Sequence, residues 1–510
     1  MLVDLLLTLH VILLVLISLR VLARHDMTAP ARLAWMVILF LLPYIGVVVY
    51  WMFGEIHLGR QFAKLHQYNL KRLHASDPEV LGDDSALQKA VKPEYQAAFA
   101  YAAAVTGFHT TLGNHAEIMS NAADTQARMI ADFDAATDHI HVLYYIWLIN
   151  GMGIDTAEAL IRAARRGAAS LAERWSMVWA HVRWWVRKYG KPWKQQVFKS
   201  VSPYRFATLS RCYCLVVSIY VITVRFRNII KVLLLSRVDL RNHRKITIID
   251  GQIGYVGSRN CADPEFRVKP KYAPWVDIML RVKGPVVAQN QMLFASDWLM
   301  KNPDTPLTAF PYFTHSDDNA DPSLLPSHSV AAQVFADGPT QRRGTTPQFL
   351  TTLIGQAKRR LIISTPYFVP DYSLVSILCA AAYRGVEVTL IFPKYNDSFI
   401  VAATSRSYYW ELLEAGVTIH EYTLGLLHAK TSTIDDEICL IGSTNLDLRS
   451  FDLNYENNVV FSDKSLTAAI IERQFQYLAD SEVVTREHVE NWSLFYRIWN
   501  NVVATMGPVL

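Results

Sequence analysis

Two stretches decide the reading of this chain: NHRKITIIDG at 242–251 and LHAKTSTIDD at 427–436. Both follow the spacing H-x-K-x4-D, with His243, Lys245 and Asp250 in the first and His428, Lys430 and Asp435 in the second. Alternate side chains of an extended strand face the same way, so each histidine projects beside its lysine. Ile246, Ile248 and Ile249 suit a buried strand. A similar polar turn follows each stretch, GSRNCAD at 257–263 and GSTNLDLRS at 442–450. A lone histidine in a strand is more often structural than catalytic. Two copies of one spacing with matching turns point to duplicated chemistry.

Outward from these stretches the chain alternates strand and helix. HIHVLYYIW at 139–147 predicts a buried strand, followed by a helix over 155–166 that ends at Gly167. RLIISTPYF at 360–368 predicts a second such strand, followed by a helix ending at Gly385 and a strand over 386–392. AARRG at 163–167 and AAYRG at 381–385 occupy equivalent places. The fold expected is α/β: two duplicated lobes, each a mixed sheet flanked by helices, forming a pseudo-dimer with a site at its interface. The boundaries predicted are a linker or helical segment over 61–115, a first lobe over 116–330 and a second over 331–510.

The N-terminal sixty residues have another character. Residues 5–19 and 33–53 are uncharged and mostly apolar. An uninterrupted helix over 33–53 spans about 30 Å, the thickness of the hydrocarbon layer. Trp35, Tyr50 and Trp51 lie near its ends, where aromatic rings favour the interface. The first run lacks the basic start of a signal peptide, so a two-helix transmembrane hairpin over 1–60 is expected. Arg20, Arg24 and Arg32 in the loop and Arg60, Lys64, Lys71 and Arg72 beyond it make both flanks basic. The positive-inside rule therefore leaves orientation open. The 510 residues are 51% hydrophobic and 19% charged, which excludes a disordered chain. A net charge of +5 suits an anionic membrane surface and is too weak to argue for nucleic acid. Five cysteines without zinc spacing imply reduced thiols.

The paired motifs resemble those of the phospholipase D superfamily, whose signature is two copies of H-x-K-x4-D, and within it the bacterial cardiolipin synthases. The likeness extends through the N-terminal runs, HIHVLYYIW, VDLRNHRK at 238–245, NCADPEF at 260–266, STPYFVP at 364–370 and GSTNLDLRS. The resemblance implies phosphatidyl transfer between two phosphatidylglycerol molecules, giving cardiolipin and glycerol through a phosphohistidine. Residue chemistry agrees. A phosphodiester needs a nucleophile, a proton donor and positive charge at its oxygens. Two histidines divide the first two tasks, with His243 assigned as nucleophile and His428 as acid/base, although the symmetry of the motifs leaves the reverse open. Lys245 and Lys430 would hold the nonbridging oxygens, helped by Asn260, Asn445, Ser258 and Ser443. The superfamily fixes each histidine's second ring nitrogen with a carboxylate downstream of its motif; the candidates are Asp277 for His243 and Glu456 for His428. Asp250 and Asp435 are expected to tie the motif strands to neighbouring backbone. No metal or cofactor is implied. The partners implied are phosphatidylglycerol and the lipid bilayer, with no nucleic acid. The expected location is the bacterial inner membrane, multi-pass, with cytoplasmic lobes. A hydrolase of membrane phospholipids, and an inactive protein damaged in its first lobe, are the alternatives. The aromatic and apolar segment 492–510 fits an interfacial helix and a packed terminal helix equally.

The resemblance lapses over 168–236. Trp175, Trp179, Trp184, Trp185 and Trp193 cluster there, and 212–224 is an apolar run too short to span comfortably. Codons for 175–182 exist that read VDGLGSR two nucleotides downstream, a segment of the kind the family carries at this place. The reading adopted is a stretch out of frame; the alternative is a basic, aromatic insertion touching lipid headgroups.

Overall fold

A computed structural model describes residues 2–25, 27–54, 60–174, 240–311 and 329–505. The expectation of an out-of-frame or inserted segment over 168–236 falls almost wholly outside the described residues.

One mixed sheet runs through both halves. Its order from one edge is Ser481–Val484, Thr418–Tyr422, Glu387–Pro393, Arg360–Ser364, Thr431–Ile434, Ile438–Gly442, Asn454–Ser462, Val330–Asp337, Thr111–Ile118, Met279–Lys283, Ile253–Gly257, Lys245–Ile249, His139–Tyr144 and Ala169–Arg174. The two halves of this order mirror each other. In the first, His139–Tyr144 lies parallel to Ala169–Arg174 and antiparallel to the motif strand Lys245–Ile249. In the second, Arg360–Ser364 lies parallel to Glu387–Pro393 and antiparallel to the motif strand Thr431–Ile434. Each motif strand then makes a hairpin with the next, and that strand pairs antiparallel with the one bearing Met279 or Asn458. Thr111–Ile118 and Val330–Asp337 join the halves, with Thr111 opposite Ala332 and Asn114 opposite Val330. The strand Thr111–Ile118 runs across residue 115, the expected end of the linker.

Both motif strands are buried along their whole length, which explains their run of branched residues. The crossover helices Gly151–Arg166 and Tyr372–Tyr383 bury one face against the sheet. Gly167 closes the first at φ 107°, and Gly385 follows the second at φ 86°, a left-handed conformation in which a side chain is strained. That requirement is the physical content of the RG pair repeated in the sequence. Pro285–Lys301 and Lys464–Ala479 pack behind the strands that follow the motif hairpins.

Three expected boundaries shift. The strand over 139–147 ends at Tyr144, and Trp147 makes only an isolated bridge with Cys261. The strand over 360–368 ends at Ser364, because Pro366 has no N–H for a ladder. Phe368–Val369 then pairs separately with Leu446–Asp447. The apolar run over 33–53 is not one helix: it breaks at Leu42 (φ −132°, ψ 66°) into Ala29–Leu41 and Pro43–Val49, followed by a π-helical turn Tyr50–Gly54. Pro43 removes a donor and restricts the residue before it. Leu2–Leu22 forms the preceding helix. Among the described residues no helix is long and apolar enough to cross a membrane.

Candidate active site

The two motifs converge through a reciprocal exchange of chain. Arg241–Asn242, just before His243, pairs in parallel with Asn454 and Tyr455 of the second half. Leu426–Leu427, just before His428, pairs in parallel with Trp275 and Val276 of the first half. The backbone N–H of His243 donates to the Tyr455 carbonyl at 2.8 Å, and that of His428 to the Val276 carbonyl at 2.8 Å. Each histidine therefore lies beside the carboxylate of the opposite half. His243 Nδ1 lies 3.0 Å from Glu456 Oε2, and His428 Nδ1 lies 2.6 Å from Asp277 Oδ1. This corrects the expected pairing, in which each carboxylate served the histidine upstream of it. The reason is topological: a short bridging strand carries each histidine across the interface before its motif strand begins.

His243, His428 and Glu456 are buried and the Asp277 side chain is 10% exposed, and their electrostatics interlock. Burial pushes His243 down to about 4; Lys245 and Lys430 also lower it, and Glu456 opposes them. Burial lowers His428 as well, with Lys430 and Lys245 adding to the effect and Asp277 opposing. Burial works against the ionised carboxylates, yet His428, Lys430 and Ser258 hold Asp277 well below its usual range. His243, Lys245 and Ser443 do the same for Glu456. A neutral imidazole whose Nδ1–H donates a hydrogen bond to a carboxylate keeps a lone pair on Nε2. That lone pair is the requirement for attack on phosphorus or for general-base work.

Both lysines stand in the same relation to their histidines. Lys245 Nζ donates to the His243 carbonyl at 2.6 Å, and Lys430 Nζ to the His428 carbonyl at 2.6 Å. Burial lowers Lys245 to about 8 and Lys430 to about 7, because a buried ammonium is poorly solvated, and a nearby anion would favour the charged form of each.

The remaining expected residues divide by what they touch. Ser258 donates to Asp277 Oδ1 at 2.6 Å and Ser443 donates to Glu456, so both hydroxyls hold carboxylates. Asn260 Oδ1 accepts from the Ile146 N–H at 3.2 Å. Asn445 turns its Nδ2 to Ser450 Oγ at 3.1 Å and leaves Oδ1 buried without a partner among the described residues. Asp250 and Asp435 lie away from the histidines, at φ 52° in the hairpin turns after the motif strands. Asp250 accepts from the N–H groups of Thr137, Asp138 and His139 at 2.8–2.9 Å. Asp435 accepts from those of Lys358, Arg359 and Arg360 at 2.7–3.0 Å, and from the Tyr95 hydroxyl at 2.8 Å.

Sequence reading missed several neighbours. Tyr145 meets the His243 ring edge-on at 5.2 Å, with the Arg241 guanidinium over its own face at 5.7 Å. Trp275 tilts over His428 at 4.7 Å and stacks on Phe266 at 3.8 Å. Arg244 is fully buried; it pairs with Asp297 at 2.6 Å and donates to the Glu456 carbonyl at 3.1 Å. The motif's own spacing marks Arg244 as the intervening residue, but nothing in the sequence names Asp297 as its partner.

Comparison with known proteins bears on the family of the chain. Residues 350–479 match the family described as cardiolipin synthase, PLD-like domain, and residues 11–55 match a phospholipase D-nuclease N-terminal family. Cardiolipin synthase A of Proteus mirabilis (strain HI4320) is 31% identical over 487 residues, covering 95% of this chain and 94% of that protein. Cardiolipin synthase A of Yersinia pseudotuberculosis serotype O:1b (strain IP 31758) is 31% identical over 508 residues, covering 97% and 96%. The crystal structure of phosphatidylserine synthase from Haemophilus influenzae Rd KW20 superimposes with a TM-score of 0.50 at 14% identity, covering 78% of this chain and 95% of that one. That likeness speaks for the fold. With two interlocked His–Lys motifs on a duplicated sheet, and relatives alike over nearly their whole length, the chain belongs to the cardiolipin synthase family of phospholipase D-like proteins.

Proposed function

We propose that this chain is a cardiolipin synthase that moves a phosphatidyl group from one phosphatidylglycerol to a hydroxyl of another. His243 Nε2 attacks the phosphorus of the first lipid. The phosphorus–oxygen bond to the headgroup glycerol breaks, and His428 supplies the proton with which glycerol leaves. His428 then takes the proton of the second lipid's headgroup hydroxyl, whose oxygen displaces His243 from phosphorus. Cardiolipin and the free enzyme result. Lys245 and Lys430 hold the nonbridging oxygens throughout, and an anionic phosphodiester favours their charged forms.

The observation that carries this reading is the crossed pair of His–carboxylate contacts, which draws one histidine from each half into a common field. We assign His243, lowered to about 4, as the neutral nucleophile and His428, held at 2.6 Å from Asp277, as the acid/base, although burial lowers His428 as well. Trp275, Phe266 and Leu426 form an apolar wall beside His428, which supports a lipid alcohol over water as acceptor.

The N-terminal segment supports a lipid substrate. We read residues 1–60 as a hairpin embedded in the inner membrane, with the two lobes (116–330 and 331–510) on its cytoplasmic side. Leu16, Leu33, Leu41 and Ile45 are each 60% or more exposed, an apolar face that water disfavours and hydrocarbon does not.

Purified protein in detergent, given labelled phosphatidylglycerol, is expected to form cardiolipin and release glycerol. His243→Ala is expected to abolish both products and any acid-labile phosphoenzyme. Phosphatidic acid as the sole product would make the chain a hydrolase, and full activity in His243→Ala would remove the mechanism.

A further inference from the structure

The C-terminal helix Leu494–Thr505 presents two unlike faces. Leu494, Phe495, Ile498, Trp499 and Val502 recur on one face and are 44–79% exposed. Such a stripe suits the boundary between headgroups and acyl chains. On the other face Asn500 is 1% exposed, and both its Nδ2 and its Oδ1 lack a partner among the described residues. A buried amide with both ends unpaired is costly in a native fold and calls for explanation.

Asn500 lines an open cleft of about 490 Å³ between this helix and the segments that carry Lys271 and Lys394. Lys271, Lys394 and Arg406 supply its positive charge, Tyr496 and Trp499 its aromatic wall, and no carboxylate lines it. Lys394 is paired with Glu482 at 2.6 Å and Arg406 with Glu421 at 3.2 Å. Lys271 makes no ion pair among the described residues and lies over the Tyr272 ring at 5.6 Å. Phe399, 70% exposed, extends the apolar rim. None of the four motif histidines and lysines borders this cleft.

We propose that the cleft binds the headgroup of an anionic, hydroxyl-bearing phospholipid while the helix's apolar stripe lies in the bilayer. A headgroup hydroxyl both donates and accepts, so a single group satisfies both ends of the Asn500 amide. The phosphate sits against Lys271, and the acyl chains leave along Phe399 and Trp499. The cleft is a second lipid site, separate from the histidines. The inference rests on the membrane reading above but needs no catalysis.

The test uses the full-length His243→Ala protein in detergent, so that labelling reads binding whether or not the chain is a synthase. The probe is a short-chain phosphatidylglycerol with a photoreactive acyl chain, and labelled peptides are mapped by mass spectrometry. Label is expected on residues 394–406 and 494–505, displaced by unlabelled dihexanoyl phosphatidylglycerol but not by dihexanoyl phosphatidylcholine. Asn500→Leu, and separately the exposed-site change Lys271→Glu, are each expected to cut that label by about five-fold or more. A melting curve like the parent's checks that each variant is folded. Equal competition by the choline lipid, displacement by inorganic phosphate alone, or unchanged labelling in folded Lys271→Glu would each overturn the proposal.

Discussion

Lys430 sits where two demands conflict. Its ammonium is buried and its pKa is lowered to about 7 from 10.5, so the fold disfavours the charge that a phosphodiester requires. The unfolded chain keeps that proton to higher pH than the folded chain does. Between about 7 and 10.5 the unfolded state therefore binds more protons, and stability rises with pH across this window. Lys430→Met is expected to eliminate turnover yet stabilise the protein at neutral pH by on the order of a few kcal/mol. Thermal unfolding at pH 7 and pH 9.5 checks this, and the variant should lose part of the parent's pH dependence. The crossed carboxylates separate at the same scale. Glu456→Gln is expected to suppress phosphoenzyme formation, because Glu456 serves His243. Asp277→Asn is expected to preserve it with a donor whose leaving group needs no proton, while cutting turnover of phosphatidylglycerol by roughly a thousand-fold. Rapid-quench trapping of the phosphoenzyme distinguishes the two, and identical behaviour would contradict the division of roles.

Among the elements, the hairpin turns after the motif strands explain why the signature ends in aspartate. Asp250 and Gly251 in one turn, and Asp435 and Asp436 in the other, all have positive φ, a conformation that Asp tolerates better than most residues. The Asp435 carboxylate also receives three backbone N–H groups at the start of the neighbouring strand and the Tyr95 hydroxyl, so one residue ties its own turn to two other segments. Asp435→Ala would leave those donors unpaired and strain the turn, at a cost of about 3–5 kcal/mol. Asp435→Asn should cost less, since it keeps the turn preference. Chemical denaturation of the two variants checks the order. Pattern alone foretold the buried strand of the first motif, because Ile246, Ile248 and Ile249 are branched and apolar. It did not foretell the break at Leu42, because apolar content reports hydrophobicity while Pro43 acts on the backbone.

For the whole molecule, the exchange of bridging strands makes each half incomplete. His428 lacks its carboxylate without residue 277, and His243 lacks its own without residue 456. Separately expressed halves, divided between 311 and 329, are each expected to be inactive, and co-expression is expected to restore turnover to the extent that the continuous sheet reassembles. Detergent assays of the separate and mixed halves measure this; activity in either half alone would rule out a shared site.

The duplicated α/β plan and the apolar character of the N-terminal runs were legible in the chain's own residues, as were the candidate histidines, lysines and carboxylates of the proposed site. Each of these is written locally, in spacing, periodicity or composition. Folding settles the rest: which carboxylate meets which histidine, that Ser258 and Ser443 hold carboxylates, that Arg244 ties Glu456 to Asp297, and that Asn500 lines a cleft. Those facts depend on chain crossings between residues far apart in sequence, and two nearly symmetric halves give no local signal of which partner each will choose.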